Sequence, residues 1–229
     1  DRIEHQLMLA LSAETADPQE LASIVSLMIE HQVFYGANLQ MYGSINLRTK
    51  YASDMLWVDE AKYFTPYARQ LLQKRGPPPP ESDWPEYHQR VIELMALYKA
   101  GGGNLLIVGT DEPVYTTLLP GFAYHRELFA LNQAGLPASV VLKAATINGA
   151  RALGIDGEVG SIQKDKLADL IIINGNPLSD IKHVRNIDTV IKDGIMHTPK
   201  SLLNAAEGTI GPHSDLDHSR WILDILPLR

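Results

Sequence analysis

The segment at residues 104–111 constrains the fold of this chain more than any other. It reads NLLIVGTD and is almost continuously apolar until it ends in the carboxylate of Asp111. A strand that is apolar on both faces is typical of a parallel sheet covered by helices on each side. Parallel strands also need crossover connections, which are usually helical. The segment therefore predicts an α/β fold with Asp111 at the carboxyl end of a buried strand.

Two earlier segments fit the same pattern. Residues 2–5 could be the end of a strand, and residues 33–39 are apolar, aromatic and too short for a helix. A helix is predicted between them, because Asp17 is a suitable N-cap and Pro18 suits the first helical position. Apolar residues then recur every three or four positions until about His31. The order strand, helix, strand supports a parallel sheet.

The rest of the chain divides into a helical part and a β-rich part. Further helices are expected at about residues 59–74, 84–100, 125–134 and 137–153, with the prolines at 77–80 as a stiff spacer. Short β-like runs follow at residues 158–162, 168–173, 187–192 and 195–197, separated by Gly, Asn and Asp. We therefore predict an α/β body at residues 1–154, a β-rich module at 155–200, and an irregular tail at 201–229, whose segment 213–218 lacks rigid support.

The composition of the chain argues against several classes of partner. The net charge is -7 and no Lys/Arg-rich stretch occurs, which argues against nucleic acid or an anionic membrane as partners. No apolar run approaches the roughly 18–20 residues that cross a bilayer. The chain has no cysteine, so a bound metal would need His and carboxylate ligands. A small-molecule partner is favoured, and the compartment stays open. The chain begins at Asp1 without a signal-peptide pattern, which predicts a missing upstream segment.

The candidate site residues follow the predicted strands. His5, residues 38–42 and Asp111 fall at three strand ends, and ligands of α/β proteins gather at the carboxyl ends of parallel strands. A His and an Asp brought together there could bind a divalent metal or act as a base and its orienting partner. The alternatives are that His5 is a structural histidine and that Asp111 caps the following turn.

Other polar features favour ordinary structural roles. His31, His88 and His183 have no second ligand at a helical spacing, which is typical of surface or core histidines. Residues 213–218 read HSDLDH but lie in a Gly/Pro-led tail, so an incidental polar segment is the better interpretation. The glycines at 101–103 precede a strand instead of opening a helix, so they predict a helix stop and no phosphate loop.

An ordered series of short motifs resembles one known family. In the α/β body it comprises GTD at 109–111, HREL at 125–128, AGL at 134–136, ATINGA at 145–150 and LG at 153–154. In the β-rich module it comprises VGSI at 159–162, KLADLI at 166–171, NPLSDI at 176–181 and VIKDG at 190–194. Together they resemble the C-terminal portion of the amidohydrolase superfamily of metal-dependent hydrolases, in its prolidase-like and imidazolonepropionase-like group.

This resemblance implies the C-terminal part of a (β/α)8 TIM-type barrel, with strands of a small β-sandwich domain after it. Residues 3–5, 33–39 and 104–111 would be its sixth, seventh and eighth strands. The resemblance makes His5 a metal ligand. It makes Asp111 both a metal ligand and the catalytic group that takes the proton of the hydrolytic water.

Two further residues are expected near this pair as substrate contacts. They are Asn38, after the seventh strand, and His125, at the start of a helix. For His125 the alternative is a role in capping or packing that helix.

The resemblance also implies a divalent metal, zinc by preference, with one or two ions in the intact protein. A His-x-His pair, a Lys or Glu and a further His are expected from earlier strands that this chain does not contain. The chain alone is therefore expected to be inactive, and to associate with the missing N-terminal half or with a copy of itself. The implied activity of the intact protein is hydrolysis of an amide, peptide-like or cyclic amide bond.

Two rival functions come from other classes. One is a catalytically dead amidohydrolase-like scaffold or assembly protein. The other is an unrelated α/β binding domain in which Asp111 only caps a turn.

Overall fold

The structure is a computed structural model that describes residues 1–4, 17–41, 43, 62–73, 85–111 and 121–219. Its helices are α1 (Pro18–Glu30), α2 (Pro66–Gln73), α3 (Pro85–Lys99), α4 (Phe122–Gln133), α5 (Ala138–Lys143), α6 (Gly149–Ala152) and α7 (Pro199–Asn204). Its strands are β1 (Arg2–Glu4), β2 (Phe34–Gly36), β3 (Leu106–Ile107), β4 (Leu170–Ile173), β5 (Ile187–Lys192) and β6 (Ile195–His197). A π-helical turn at Ala144–Asn148 joins α5 to α6.

The first three strands form a parallel sheet in the order β1-β2-β3. Ile3 pairs with Tyr35, and Tyr35 pairs with Leu106. The sequence prediction that these segments are parallel neighbours is confirmed. Parallel strands place their carboxyl ends at one edge of the sheet, so the residues that follow β2 and β3 lie at the same edge.

Helix α1 forms where the sequence predicts it. The Asp17 side chain accepts a hydrogen bond from the Gln19 N–H at 2.9 Å, which satisfies one free amide of the first turn. Leu21, Val25 and Met28 are buried and share one face of the helix. They join a core cluster that also contains the buried Tyr35, Leu106 and residues of α3 and α4. This core supports one face of the parallel sheet.

Strand β3 is shorter than the apolar run predicts. Residues 104 and 105 belong to a 3-10 turn, Gly102–Leu105, and only Leu106 and Ile107 pair with β2. A Cβ at Gly102 would lie 2.9 Å from Leu97 Cγ, so the turn packs directly on α3. The Asn148 amide donates to the Gly103 carbonyl at 3.2 Å and to the Leu106 carbonyl at 2.9 Å. These contacts hold the turn, and the chain enters the sheet only at Leu106.

The β-rich module contains an antiparallel sheet in the order β4-β5-β6. The strand predicted at residues 158–162 is wrong, because this segment is a turn. The amides of Glu158 and Val159 both donate to the Ile155 carbonyl, at 3.0 and 3.1 Å. Lys166 Nζ then donates to the Ser161 hydroxyl at 2.7 Å and to the Val159 carbonyl at 3.3 Å. These local bonds outweigh the β propensity of the apolar residues in the segment.

The C-terminal tail is supported, contrary to its sequence prediction. Ile210 forms a parallel bridge with Phe64, and the Thr65 hydroxyl donates to the Pro212 carbonyl at 2.5 Å. Phe64 belongs to a small second cluster of buried residues, against which Ile210 packs. The tail therefore covers the start of α2 over residues 206–215. In the part of the chain that the structure describes, no helix is both long enough and apolar enough to cross a membrane.

Candidate active site

The carboxyl edge of the parallel sheet carries two residues with unusual backbone geometry. Asn38 follows β2 with φ of 51°, and Asp111 follows β3 with φ of 53°. Side chains other than Gly rarely adopt this left-handed region, although Asn and Asp tolerate it best. Backbone strain of this kind is often found at functional sites. Asn38 and Asp111, both predicted from the sequence, thus lie at the ends of adjacent strands.

The Asn38 side chain is buried without a partner for its oxygen. Only 2% of the residue is exposed, and among the described residues Oδ1 accepts no hydrogen bond. A Cβ at Gly109 would collide with this oxygen and would lie 3.1 Å from Glu4 Oε2. An unsatisfied buried acceptor costs free energy, about 1–3 kcal/mol by mutational measurements. The oxygen therefore has an acceptor position that no described residue uses.

Glu4 is a polar residue of this edge that the sequence analysis did not single out. It ends β1 and pairs with Gly36 in β2. A Cβ at Gly36 would collide with the Glu4 carboxylate, so Gly36 and Gly109 together leave room for it. The Glu4 carboxylate also lies 3.8 Å from Arg2 Nε. Gly36 in β2 and Gly109 just after β3 were the available signal in the sequence, but only the structure shows that they accommodate the Glu4 side chain.

A buried carboxylate from α4 holds the segment that carries Asn38. Glu127, which is 0% exposed, accepts hydrogen bonds from the Leu39 N–H at 3.0 Å and from the Gln40 N–H at 2.6 Å. Burial raises the pKa of Glu127 to about 7, although the two amide bonds and the charge of Arg90 oppose this shift. The sequence analysis quoted Glu127 only within the HREL motif. In the sequence, the signal for a functional role of Glu127 was a charged residue among the apolar residues of α4.

Two more buried side chains fix the same segment. Arg90 of α3 donates from Nη1 to the Ala37 carbonyl at 3.1 Å. Gln40 donates from Nε2 to the Thr110 carbonyl at 2.8 Å, which joins the end of β2 to the end of β3. Residues 37–40 are therefore positioned from α3, from α4 and from the residue before Asp111.

His125 lies on α4, two residues before Glu127. Side chains two residues apart on a helix point to different sides, so His125 does not share the direction of Glu127. Burial, together with the nearby charge of Arg185, lowers the pKa of His125 to about 4. Its Nδ1 is buried and has no hydrogen-bond partner among the described residues. The imidazole is neutral at pH 7, and its role as a substrate contact stays a prediction.

The metal ligands can be placed only in part. His5 lies outside the described residues, whereas Asp111 is half-buried at the end of β3. Within the described ranges, no group of three or more His, Asp or Glu side chains is arranged to hold a metal ion. The described residues do not complete a metal site by themselves, and Asp111 is the one predicted ligand among them.

The remaining polar features have local partners. The His183 ring lies 3.2 Å from the Asn176 N–H and 3.0 Å from the Asn176 carbonyl, as expected for a structural histidine. In the tail, Asp217 accepts from the His213 N–H at 2.7 Å, and Asp215 accepts from the Tyr67 hydroxyl. These bonds use the tail carboxylates within the fold.

Comparison with known proteins places these observations in a family. The sequence model of the amidohydrolase family matches residues 12–196. A 5'-deoxyadenosine deaminase of Methanosphaera stadtmanae is 41% identical over 90 residues, covering 34% of this chain and 21% of that protein. An imidazolonepropionase of Syntrophobacter fumaroxidans is 29% identical over 115 residues, covering 48% of this chain and 26% of that protein.

Solved structures agree with this assignment. A Xaa-Pro dipeptidase with methionine bound in its active site aligns with a TM-score of 0.57 at 26% identity, over 86% of this chain and 40% of that chain. A putative prolidase from Bifidobacterium longum shares the fold with a TM-score of 0.56 at 24% identity, over 98% of this chain and 46% of that chain. The chain spans less than half the length of these relatives. Because the family match runs from residue 12 to residue 196, the chain belongs to the amidohydrolase family, as its sequence predicted.

Proposed function

We propose that the intact protein hydrolyses a carbon–nitrogen bond in an amide, peptide-like or cyclic amide substrate. Family membership supports hydrolysis of such bonds in general. The observation that carries the proposal is that Asp111 follows β3 while Asn38 follows the adjacent strand β2, with an Asn38 Oδ1 that is buried and has no hydrogen-bond partner among the described residues. A carboxylate and a free acceptor at adjacent strand ends suit proton transfer and substrate orientation.

Each residue would have a distinct role. Asp111 would accept the proton of the attacking water and return it to the leaving nitrogen. Asn38 Oδ1 would accept a hydrogen bond from a substrate N–H, which would satisfy its buried oxygen. The neutral ring of His125 would be a further substrate contact.

The family typically uses a divalent metal, and zinc is the ion we propose. Bound beside Asp111, it would lower the pKa of water toward about 7. His5 and Asp111 would be its ligands in this chain, and residues beyond this chain would supply the others. We therefore assign the activity to the intact protein and expect this chain alone to be inactive. It would need contact with the rest of the barrel or with a second copy.

The relatives support a second candidate within the same reaction class. The 5'-deoxyadenosine deaminase that is 41% identical over 90 residues favours hydrolytic deamination of a purine nucleoside. The site residues would be the same, because both reactions require a water nucleophile and a group that carries its proton. The catalytically dead scaffold is the rival that any turnover would exclude.

A substrate panel and one pair of variants test the proposal. The intact protein is analysed for bound metal and assayed with Xaa-Pro and other dipeptides, cyclic amides and 5'-deoxyadenosine. Asp111→Asn should lower kcat by about 10²–10⁴-fold, the usual contribution of a general base. Asn also tolerates the left-handed backbone at this position.

Asp188→Asn is the matched control, because Asp188 is an exposed carboxylate of β5 that accepts hydrogen bonds from the Asn174 amide and the Thr189 hydroxyl. It should leave kcat unchanged. Absence of turnover with every substrate, or equal kcat in the two variants, would contradict the proposal.

A further inference from the structure

We propose that Glu127 is a positioning residue of this active site, whose carboxylate fixes residues 37–40 and thereby the side chain of Asn38. The inference rests on the proposed function, because Asn38 is taken there as a substrate contact. Glu127 itself would not touch the substrate. Its effect would pass through the backbone of Leu39 and Gln40.

Glu127 of α4 caps the start of a helical turn in a different part of the chain. A helical turn begins at Leu39, and the first amides of a helix have no partner within it. The two Glu127 oxygens take two successive amides of this turn, at 3.0 and 2.6 Å. The carboxylate is fully buried, so bulk water does not replace these bonds. The orientation of the turn therefore depends on Glu127.

Hydrogen bonds to backbone groups fix the chain both before and after Asn38. Before it, the Ala37 carbonyl accepts from Arg90. After it, the amides of Leu39 and Gln40 donate to Glu127. The residue between these contacts has φ of 51°, a conformation that persists only where its surroundings enforce it. Release of either side would let Asn38 relax and its oxygen move.

The two amides need two acceptor oxygens at position 127, which the ionised form of Glu127 supplies. Two N–H donors meet two oxygens, and both oxygens of a carboxylate accept. In Glu127→Gln the shape is kept, but an NH2 group replaces one acceptor and faces a backbone N–H. The substitution thus removes one bond and adds a donor–donor repulsion without opening a cavity.

Glu93→Gln is the matched control for this change. Glu93 is equally buried and lies on α3, where it accepts from the Tyr35 hydroxyl at 3.0 Å and from Gln89 Nε2 at 3.1 Å. A glutamine can still accept from the tyrosine. The control therefore makes the same isosteric change in the same core, at a carboxylate that accepts from Tyr35 and Gln89.

The experiment compares the two variants in the intact, metal-loaded protein. The first readout is the amide ¹H–¹⁵N spectrum, in which the Leu39 and Gln40 signals should move in Glu127→Gln and stay in place in Glu93→Gln. The second is steady-state kinetics on the best substrate of the panel. Glu127→Gln should lower kcat/KM by about 10²-fold, the usual effect of a small misplacement at a site. Glu93→Gln should leave kcat/KM unchanged.

A double-variant cycle separates positioning from general stability. In an Asn38→Ala background, Glu127→Gln should cause little further loss of kcat/KM, because the group that it positions is already absent. Fully additive losses, or unchanged Leu39 and Gln40 signals, would overturn the inference.

If Glu127→Gln does not fold, Glu127→Asp keeps a carboxylate but shortens its reach to the Leu39 and Gln40 amides, and it should give a smaller loss of kcat/KM in the same direction. Unchanged kinetics in that variant would also overturn the inference. A wild-type protein without turnover would instead refute the proposed function, while the amide signals would still show whether Glu127 holds the segment.

Discussion

The pH dependence of folding stability offers a quantitative test of the buried Glu127. Its pKa in the folded protein is raised from an ordinary value of 4.5 to about 7, with burial as the main cause. The folded state therefore binds this proton more tightly than the unfolded state. The stabilisation is fully present below pH 4.5 and is lost as the pH rises through about 7.

The size of the effect follows from the shift. One pKa unit corresponds to about 1.4 kcal/mol, so ionisation of Glu127 should lower the free energy of unfolding by about 3 kcal/mol between pH 4.5 and pH 8. This is a large share of the roughly 5–15 kcal/mol that stabilises a typical domain. Glutamine at this position cannot ionise, so Glu127→Gln removes the pH-dependent contribution.

Urea unfolding of the intact protein at several pH values measures this contribution. The free energy of unfolding of the wild type minus that of Glu127→Gln should fall by about 3 kcal/mol from pH 4.5 to pH 8. Other titrating groups cancel in this difference, because both proteins contain them. A difference that stays constant, or that rises with pH, would refute the argument that burial dominates the Glu127 environment.

Three further predictions concern other residues. The His125 ring should show no NMR titration between pH 5.5 and 7.5, because its folded pKa is about 4; an inflection near pH 6.5 would contradict its burial. Gly109→Ala should displace Asn38 and lower kcat/KM, whereas Gly157→Ala, which meets nothing within 4 Å, should not; equal kinetics would exclude a close fit at Gly109. The hydrogen bond from the Asp193 N–H lowers the pKa of Asp169, so the ionised carboxylate stabilises the fold. In urea unfolding, Asp169→Asn should therefore have a lower free energy of unfolding than the wild type above pH 4, and nearly the same one below it.

Local sequence patterns were sufficient to predict helices and strands whose conformation depends on residues nearby in the chain. The capping signal at Asp17 and the apolar period after it located α1 to within a residue of Pro18–Glu30. The runs at residues 187–192 and 195–197 became β5 and β6 with the same bounds. The apolar run that ends in Asp111 indicated a parallel sheet, because strands buried on both faces must be apolar throughout.

The same local patterns failed where bonds from outside a segment decide its conformation. Residues 158–162 have an apolar pattern, but the Lys166 side chain holds them in a turn. The tail contains Gly and Pro and resembles a free end, but contacts from Ile210 and Pro212 to α2 hold it in place. In both cases the bonds that decide the structure come from outside the segment.

For the site, the sequence determined the family and identified Asn38 and Asp111 at the strand ends, because ordered motifs and strand boundaries are visible in one dimension. Only the tertiary structure showed that Glu127 and Arg90 hold the segment around Asn38. Their bonds span between 53 and 88 residues of sequence. No periodicity encodes such separations, and a buried charge reveals its partner only when folding brings the two groups together and excludes water from both.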